Sequence, residues 1–346
     1  MHAHYRREQP KPSRSAGPGS QNSGGIEVTG IIILDEDSKT DDAIGNYPDQ
    51  KTIEQRLESG FFLLDKGAGP TSHQVAAWVR DMLELPRLGH GGTLDPFATG
   101  VLPLMAGKAM RLTKQILEHN KTYIAVFRFK NEVEEATLND VMEQLTGRIY
   151  NVPPEISAVR VQVRTRKIHN FSLIDQSSKH IVARIRCEAG TYIRTMARDM
   201  GLLLDQSVEL KELRREDSGR FKLDDCVELH EIADAIWLWK ECNDGEALSR
   251  MLHPTEKLLA GLPRIVVKDS AVAALAHGAP LLRPGLVSIP DDLTSGQNVL
   301  VTSIKGEAVC FVKVNTDSDS ITKMEKGEIA RPSAVLMNDD VYPRRW

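Results

Sequence analysis

Three stretches of this chain alternate polar and apolar residues with a period of two, and that alternation dictates a sheet with one buried face. Lys121–Phe129 sets Tyr123, Ala125, Phe127 and Phe129 on one side, the spacing of a half-buried strand. Ile181–Cys187 carries Val182 and Ile185 beside Arg184 and Arg186. In Val159–Ile168 the apolar positions are Val159, Val161, Val163 and Ile168, with Arg164, Arg166 and Lys167 between them. This reads as a strand with a core face and a basic face. Helical spacing appears in Val75, Ala76, Val79, Met82 and Leu83 behind a Thr71 or Ser72 cap, and in Ile193, Met196, Ala197 and Met200 behind a turn at Gly190. Leu138–Leu145 reads as a short helix and Asp234–Leu259 as helical. Val101–Leu117 reads as a strand end followed by an amphipathic helix, and Glu209–Gly219 as a strand or loop. Strands mixed with helices predict an α+β domain on a mostly antiparallel sheet.

A length of 346 residues suits two domains and a tail. Residues 1–25, rich in Pro, Ser, Gly, Gln and Asn, lack the apolar surface to offset ordering entropy and are expected to be disordered. Residues 26–58 join the apolar run Ile31–Leu34 to an acidic stretch and read as an arm that docks on a domain. The first globular domain is expected over residues 59–261. Leu262-Pro263 marks the start of a second, over 262–346. There, short strands at Ile265–Val267, Leu281–Pro284, Gly296–Ser303, Glu307–Val314 and Ala334–Met337, with one helix at Ser270–His277, suggest a small β-barrel.

No apolar run approaches the ~18 residues of a membrane span, and the basic N-terminus lacks the apolar core of a secretory signal. Four dispersed cysteines without a C-x-x-C pair argue against a zinc site or a disulfide scaffold. The expectation is a soluble intracellular chain. Its net charge of -4 does not by itself suggest a nucleic-acid binder. Locally the balance reverses: Arg160, Arg164, Arg166, Lys167, Lys179, Arg184, Arg186, Arg194 and Arg198 face only Asp175 and Glu188. Phosphate contacts act over about 8–10 Å, so this segment is either an RNA surface or a solvated sheet face.

The segment Gly89–Gly100 (GHGGTLDPFATG) concentrates four glycines, a proline and one carboxylate. Glycines permit positive φ and close approach of a ligand backbone, while Pro96 fixes the chain after Asp95. An isolated loop aspartate serves more often as a turn former or cap than as a catalyst.

The run GHGGTLDPFATGVLP nevertheless closely resembles the catalytic loop of the TruB/dyskerin family of pseudouridine synthases. Other motifs are collinear with it. Leu64-Asp65-Lys66 with Gly69-Pro70-Thr71-Ser72-His73 resembles the family's first motif, and Lys121-Thr122-Tyr123 its tyrosine strand. Pro153-Pro154 through Ser157-Ala158-Val159 resembles the segment before the basic strand. Gly190-Thr191-Tyr192-Ile193-Arg194 resembles the arginine motif, and Glu212-Leu213-Arg214-Arg215 the Leu-Arg-Arg motif. Val267–Val272, His277-Gly278-Ala279, Lys305-Gly306-Glu307-Ala308 and Tyr342–Trp346 resemble the PUA domain of the archaeal–eukaryotic branch, the catalytic subunit of H/ACA ribonucleoproteins. A Lys-rich tail typical of eukaryotic members does not follow Trp346, which favours the archaeal form and a cytoplasmic location (nucleolar only in a eukaryote).

The resemblance implies isomerisation of uridine to pseudouridine without metal or cofactor. It makes Asp95 the catalytic carboxylate, as nucleophile or as base toward the 2′ position, both of which stay open. It places Arg194 beside Asp95, where a guanidinium favours the ionised carboxylate. Tyr123 stacks on the extruded base, His90 displaces the target nucleotide, Leu213 walls the pocket and Lys66 orients the loop from beneath. Arg160, Arg164, Arg166, Lys167, Arg184 and Arg186 are the expected RNA contacts. The implied partners are an H/ACA guide RNA, rRNA and tRNA substrates, a small Zn-ribbon-like subunit, a Gly/Arg-type β-barrel subunit and a kink-turn-binding subunit. The alternatives are a stand-alone synthase for the tRNA TΨC-loop uridine and a non-catalytic RNA-binding scaffold. Five residues depart from the usual pattern: Gly67 replaces a proline of the family and Val161 a basic residue, while Phe97-Ala98 replaces the Lys-Val, and Thr122 the glutamate, usual in the guided branch.

Overall fold

The computed structural model describes residues 30–113, 119–152 and 163–344. The expected tail, the Pro153–Val159 motif, Arg160 and the last two residues lie outside these. Ile31–Ile33 (β1) opens the described chain. The strands of the first sheet follow: Ser59–Lys66 (β2), Leu88–His90 (β3), Thr99–Gly107 (β4), Lys121–Phe129 (β5), Gly147–Asn151 (β6), Arg164–Ser177 (β7), His180–Cys187 (β8), Val208–Ser218 (β9), Phe221–Lys222 (β10) and His253–Pro254 (β11). Their order is β11-β2-β4-β9-β5-β8-β7-β6, with β3 on β4 and β10 on β9. Every pairing is antiparallel except β4 with β9, where Gly100 lies opposite Arg215. The alternation read in β5 is seen directly: Tyr123 pairs with Ile185 and Phe127 with Ile181, and all four are buried; in β8 the buried face is Ile181, Ala183, Ile185 and Cys187, and Val182 shares the face of Arg184 and Arg186.

Helices Ser72–Met82, Glu135–Gln144, Ile193–Leu203 and Leu229–Cys242 supply apolar residues to the core on this sheet. The first has the capping box that Thr71 suggested. Thr71 Oγ1 accepts from the Gln74 amide at 3.1 Å, and Gln74 returns a bond to the Thr71 amide at 2.8 Å; such a cap contributes about 1 kcal/mol.

A second sheet comprises Arg264–Val267 (β12), Leu281–Leu282 (β13), Leu286–Pro290 (β14), Asn298–Ser303 (β15), Ala308–Val314 (β16) and Glu328–Val335 (β17). Its order is β1-β14-β12-β15-β16-β17-β13, so the arm strand joins this sheet. A separate core sets Phe61, Leu63 and Met105 of the first sheet against Leu300, Phe311 and Leu336 from the second half.

One element differs from the sequence reading. Asp234–Leu259 is not one helical run. Asn243 adopts left-handed φ after Cys242, a short helix Glu246–Met251 follows, and β11 separates it from Thr255–Leu259. In Val101–Leu117 the expected strand end is β4, which runs to Gly107 before a 3-10 turn at Lys108–Leu112; residues 114–117 of the expected helix lie outside the described residues.

Candidate active site

β2 ends at Lys66, which is 0% exposed. Its ammonium donates to four carbonyl oxygens, those of Gly67 (2.9 Å), Asp95 (3.4 Å), Pro96 (3.2 Å) and Ala98 (2.8 Å). The last three belong to the glycine-rich loop, so Lys66 holds that loop from beneath. Burial pushes its pKa down, and the Asp95 charge opposes the shift. Ser72 grips the loop from the other side: its Oγ accepts from the Leu94 amide at 2.9 Å and donates to the Leu94 carbonyl at 3.2 Å. The amide of Gly69 also reaches Pro96 O at 2.8 Å. Four backbone carbonyls and one amide of a short irregular segment are therefore satisfied by a single lysine and a single serine.

Asp95 projects from this frame to Arg194, whose Nη2 lies 2.8 Å from Asp95 Oδ1. Both side chains keep about a third of their surface exposed (31% and 34%), so the pair is accessible to a ligand. Arg194 follows the tight turn at Gly190, where φ is +75°, and lies in the first turn of helix Ile193–Leu203. Among the described residues its buried Nε has no partner.

Tyr123 is buried on β5; that burial raises its phenol pKa, and Asp95 adds to the shift while Arg215 opposes it. Leu213 on β9 faces Ala125, two residues along the same side of β5 from Tyr123. His90, on β3, packs edge-on to His73 with ring centroids 4.6 Å apart. Burial first, then the charges of His73 and Arg215, lower its pKa to about 4, so the ring is neutral at neutral pH. The structure thus gathers Asp95, Arg194, Lys66 and Tyr123 at one centre, with Leu213 and His90 on its margins. This is a carboxylate held by an arginine, beside an aromatic ring, on a loop fixed from below.

Residues 80–193 match the model for TruB family pseudouridylate synthase (N terminal domain), and residues 194–260 that for the tRNA pseudouridylate synthase B C-terminal domain. Residues 263–336 match the PUA domain and residues 29–76 the DKCLD (NUC011) domain. The probable tRNA pseudouridine synthase B of Pyrobaculum calidifontis is 39% identical over 302 residues, covering 87% of this chain and 91% of that relative. Its namesake in Methanocaldococcus jannaschii is 38% identical over 315 residues, covering 91% and 94%. The chain belongs to the TruB family of pseudouridine synthases. A chain from an H/ACA RNP bound to a substrate RNA containing 2′-deoxyuridine superposes with a TM-score of 0.83 at 34% identity, covering 93% of this chain and 99% of that one. An archaeal box H/ACA sRNP Nop10–Cbf5 complex gives 0.81 at 35% identity, covering 92% and 99%.

This RNA pseudouridine synthase carries its basic residues on two faces. Along β8, Arg184 and Arg186 alternate with the buried Ile185 and so stand on the side of the sheet away from Tyr123. Arg184 is also bonded to Glu216 at 3.0 and 3.1 Å. Arg166 instead reaches Gly190, where an added Cβ would sit 3.2 Å from its Nη2. Arg164 and Arg166 share the parity of the buried Ile168, and Lys167 the opposite. Period-two alternation divides what the linear count grouped.

Sequence reasoning left two parts of the frame unassigned. Ser72 looked like a helix cap, and its bond to Leu94 is long-range. Arg215 appeared only as a letter in the Leu-Arg-Arg motif, yet it is 1% exposed beneath the centre.

Proposed function

We propose that this pseudouridine synthase is the RNA-guided catalytic subunit of an archaeal-type H/ACA particle, acting on rRNA and on the TΨC-loop uridine of tRNA. The observation that carries the reading is the extent of the likeness: the arm, catalytic domain and PUA domain together resemble a chain from a particle with substrate RNA bound. Other structural relatives come from complexes with Nop10 and Gar1. Subunits of those two kinds, with a kink-turn-binding protein, are the proposed partners, and the PUA domain contacts the ACA end of the guide. The curated relatives are named for tRNA, which supports the second activity.

In the reaction the N1–C1′ bond of uridine breaks and a C5–C1′ bond forms. The C5 proton leaves and N1 gains one, so substrate and product are isomers. Asp95 acts at C1′ or at the 2′ position, with Arg194 stabilising its charge. Tyr123 lies against the extruded base.

Two substrates test this reading: unmodified tRNA without a guide, and an rRNA fragment with its H/ACA guide and accessory proteins. Product on the second only when the guide is present establishes guidance; product on tRNA alone, with none on the guided fragment, overturns it in favour of a stand-alone tRNA synthase. Asp95→Asn should abolish turnover on either substrate and leave RNA affinity intact.

A further inference from the structure

β9 carries one residue more than β5 where the two run past the active site. Thr122 pairs with Asp217 and Tyr123 with Arg215, so Glu216 is the extra residue of a bulge. Asp217 Oδ1 accepts from the Thr122 amide at 3.0 Å, and Glu216 turns away to Arg184. The bulge resets the alternation so that Arg215 and Tyr123 become direct cross-strand partners on one face. Gly100 makes the approach from the other side possible: its φ is +104°, and a Cβ there would lie 2.2 Å from the Arg215 carbonyl oxygen.

The Arg215 side chain fills the space so created and spreads over three elements. Its Nε donates to Val101 O of β4 at 2.7 Å, and its Nη2 to Gly92 O in the loop that carries Asp95, at 3.3 Å. Tyr123 is its cross-strand partner, and the guanidinium charge lowers the phenol pKa against the effect of burial. At 1% exposure Arg215 is inaccessible to an RNA phosphate, so the family of contacts expected of a surface arginine does not apply. We propose that Arg215 is a positioning residue for the isomerisation, a buried guanidinium that sets its cross-strand partner Tyr123 and the Gly92 turn at one distance from each other. A planar fork of donors matches these divergent acceptors, and a single ammonium does not. Misplacement of a reacting group by about 1 Å costs about 100-fold in rate.

The inference rests on Asp95 and Tyr123 being the reacting centre. The test is single-turnover pseudouridine formation by the full chain, on a substrate that the native protein converts, alongside RNA affinity and thermal stability. Arg215→Ala should slow the chemical step about 100-fold with RNA affinity unchanged. Added guanidinium ion, at concentrations far below denaturing, should restore about tenfold by reoccupying the site. Arg215→Lys retains charge and bulk, and should fold with native affinity yet react about tenfold more slowly. If Arg215→Ala does not fold, the lysine variant decides alone. A native rate in Arg215→Lys overturns the proposal, as does a loss in Arg215→Ala that follows RNA affinity and is not rescued. Asp95→Asn in parallel separates the two ideas: activity in that variant sinks the reading of the centre, whereas an inactive Asp95→Asn beside fully active Arg215 variants sinks only this inference.

Discussion

Lys66 and Lys305 each sit among four backbone carbonyl oxygens. The partners of Lys66 lie at the end of its own strand and in the Asp95 loop. Lys305 is 6% exposed and donates to Asp41 (3.0 Å), Asp42 (3.2 Å), Ile44 (2.8 Å) and Gly45 (3.4 Å) of the arm. The chemistry is the same: an irregular segment cannot satisfy its own carbonyls, and a desolvated ammonium does it instead. The setting differs. Lys66 ties the end of β2 to a loop about 30 residues further on, and its failure displaces Asp95. Lys305 ties residues more than 250 positions away in the chain, aided by Asp269 on Thr40 and Glu307 on Asn46, and its failure frees the arm. One motif therefore fixes the Asp95 loop in one half and the arm in the other.

The largest expected separation follows from replacing each lysine by methionine. Both variants strand buried carbonyls, at a cost to stability of about 2–4 kcal/mol. Lys66→Met should in addition lower turnover about 100-fold, because the Asp95 loop loses its fixed position. Lys305→Met should keep its rate on a substrate that needs no guide, while protease cleavage within residues 40–52 rises well above native. Equal losses of turnover in the two variants would break the distinction.

Much of the Lys66 side of this comparison was legible in sequence, and little of the Lys305 side. The loop, Asp95, Tyr123 and Arg194 belong to dense motifs whose residue types are rare in combination. Lys305 stands in an ordinary Lys-Gly-Glu turn, and its partners are backbone atoms, which carry no side-chain signature. The same limit hid Ser72, which acts on the backbone of Leu94. Strands fell on either side of a similar line. β5 and β8 alternate cleanly, so their existence followed from the pattern. β9 reads ELKELRRED over most of its length and interrupts its alternation at the Glu216 bulge, so strand and loop were indistinguishable. β7 runs on to Ser177, nine residues beyond Ile168, through polar residues on both faces. The parallel pairing of β4 with β9 depends on Gly100 meeting Arg215, a contact between positions 115 apart that local spacing cannot encode.

The smallest expected effect concerns acid, and it acts on the Lys66 side alone. His90 lies at the opening of the loop that Lys66 holds. Its folded pKa of about 4, against an ordinary 6.5, arises first from burial and then from the neighbouring charges of His73 and Arg215. Between those two values the unfolded chain takes up a proton that the folded chain refuses, so stability falls as pH drops through that window. His253, which packs on Phe61 with ring centroids 5.3 Å apart, has a folded pKa of about 4 as well, chiefly through burial. Both rings keep part of their surface in water, which screens the effect. Denaturant midpoints measured from about pH 7 to about pH 4 should therefore decline in the native protein and decline less steeply in His90→Asn. His253→Asn should flatten the remainder independently, since the two rings share no partner. An identical pH slope in native protein and His90→Asn would show that the imidazole is not held neutral by its surroundings, and the Lys66 side would lose its acid sensitivity as a point of contrast with the arm.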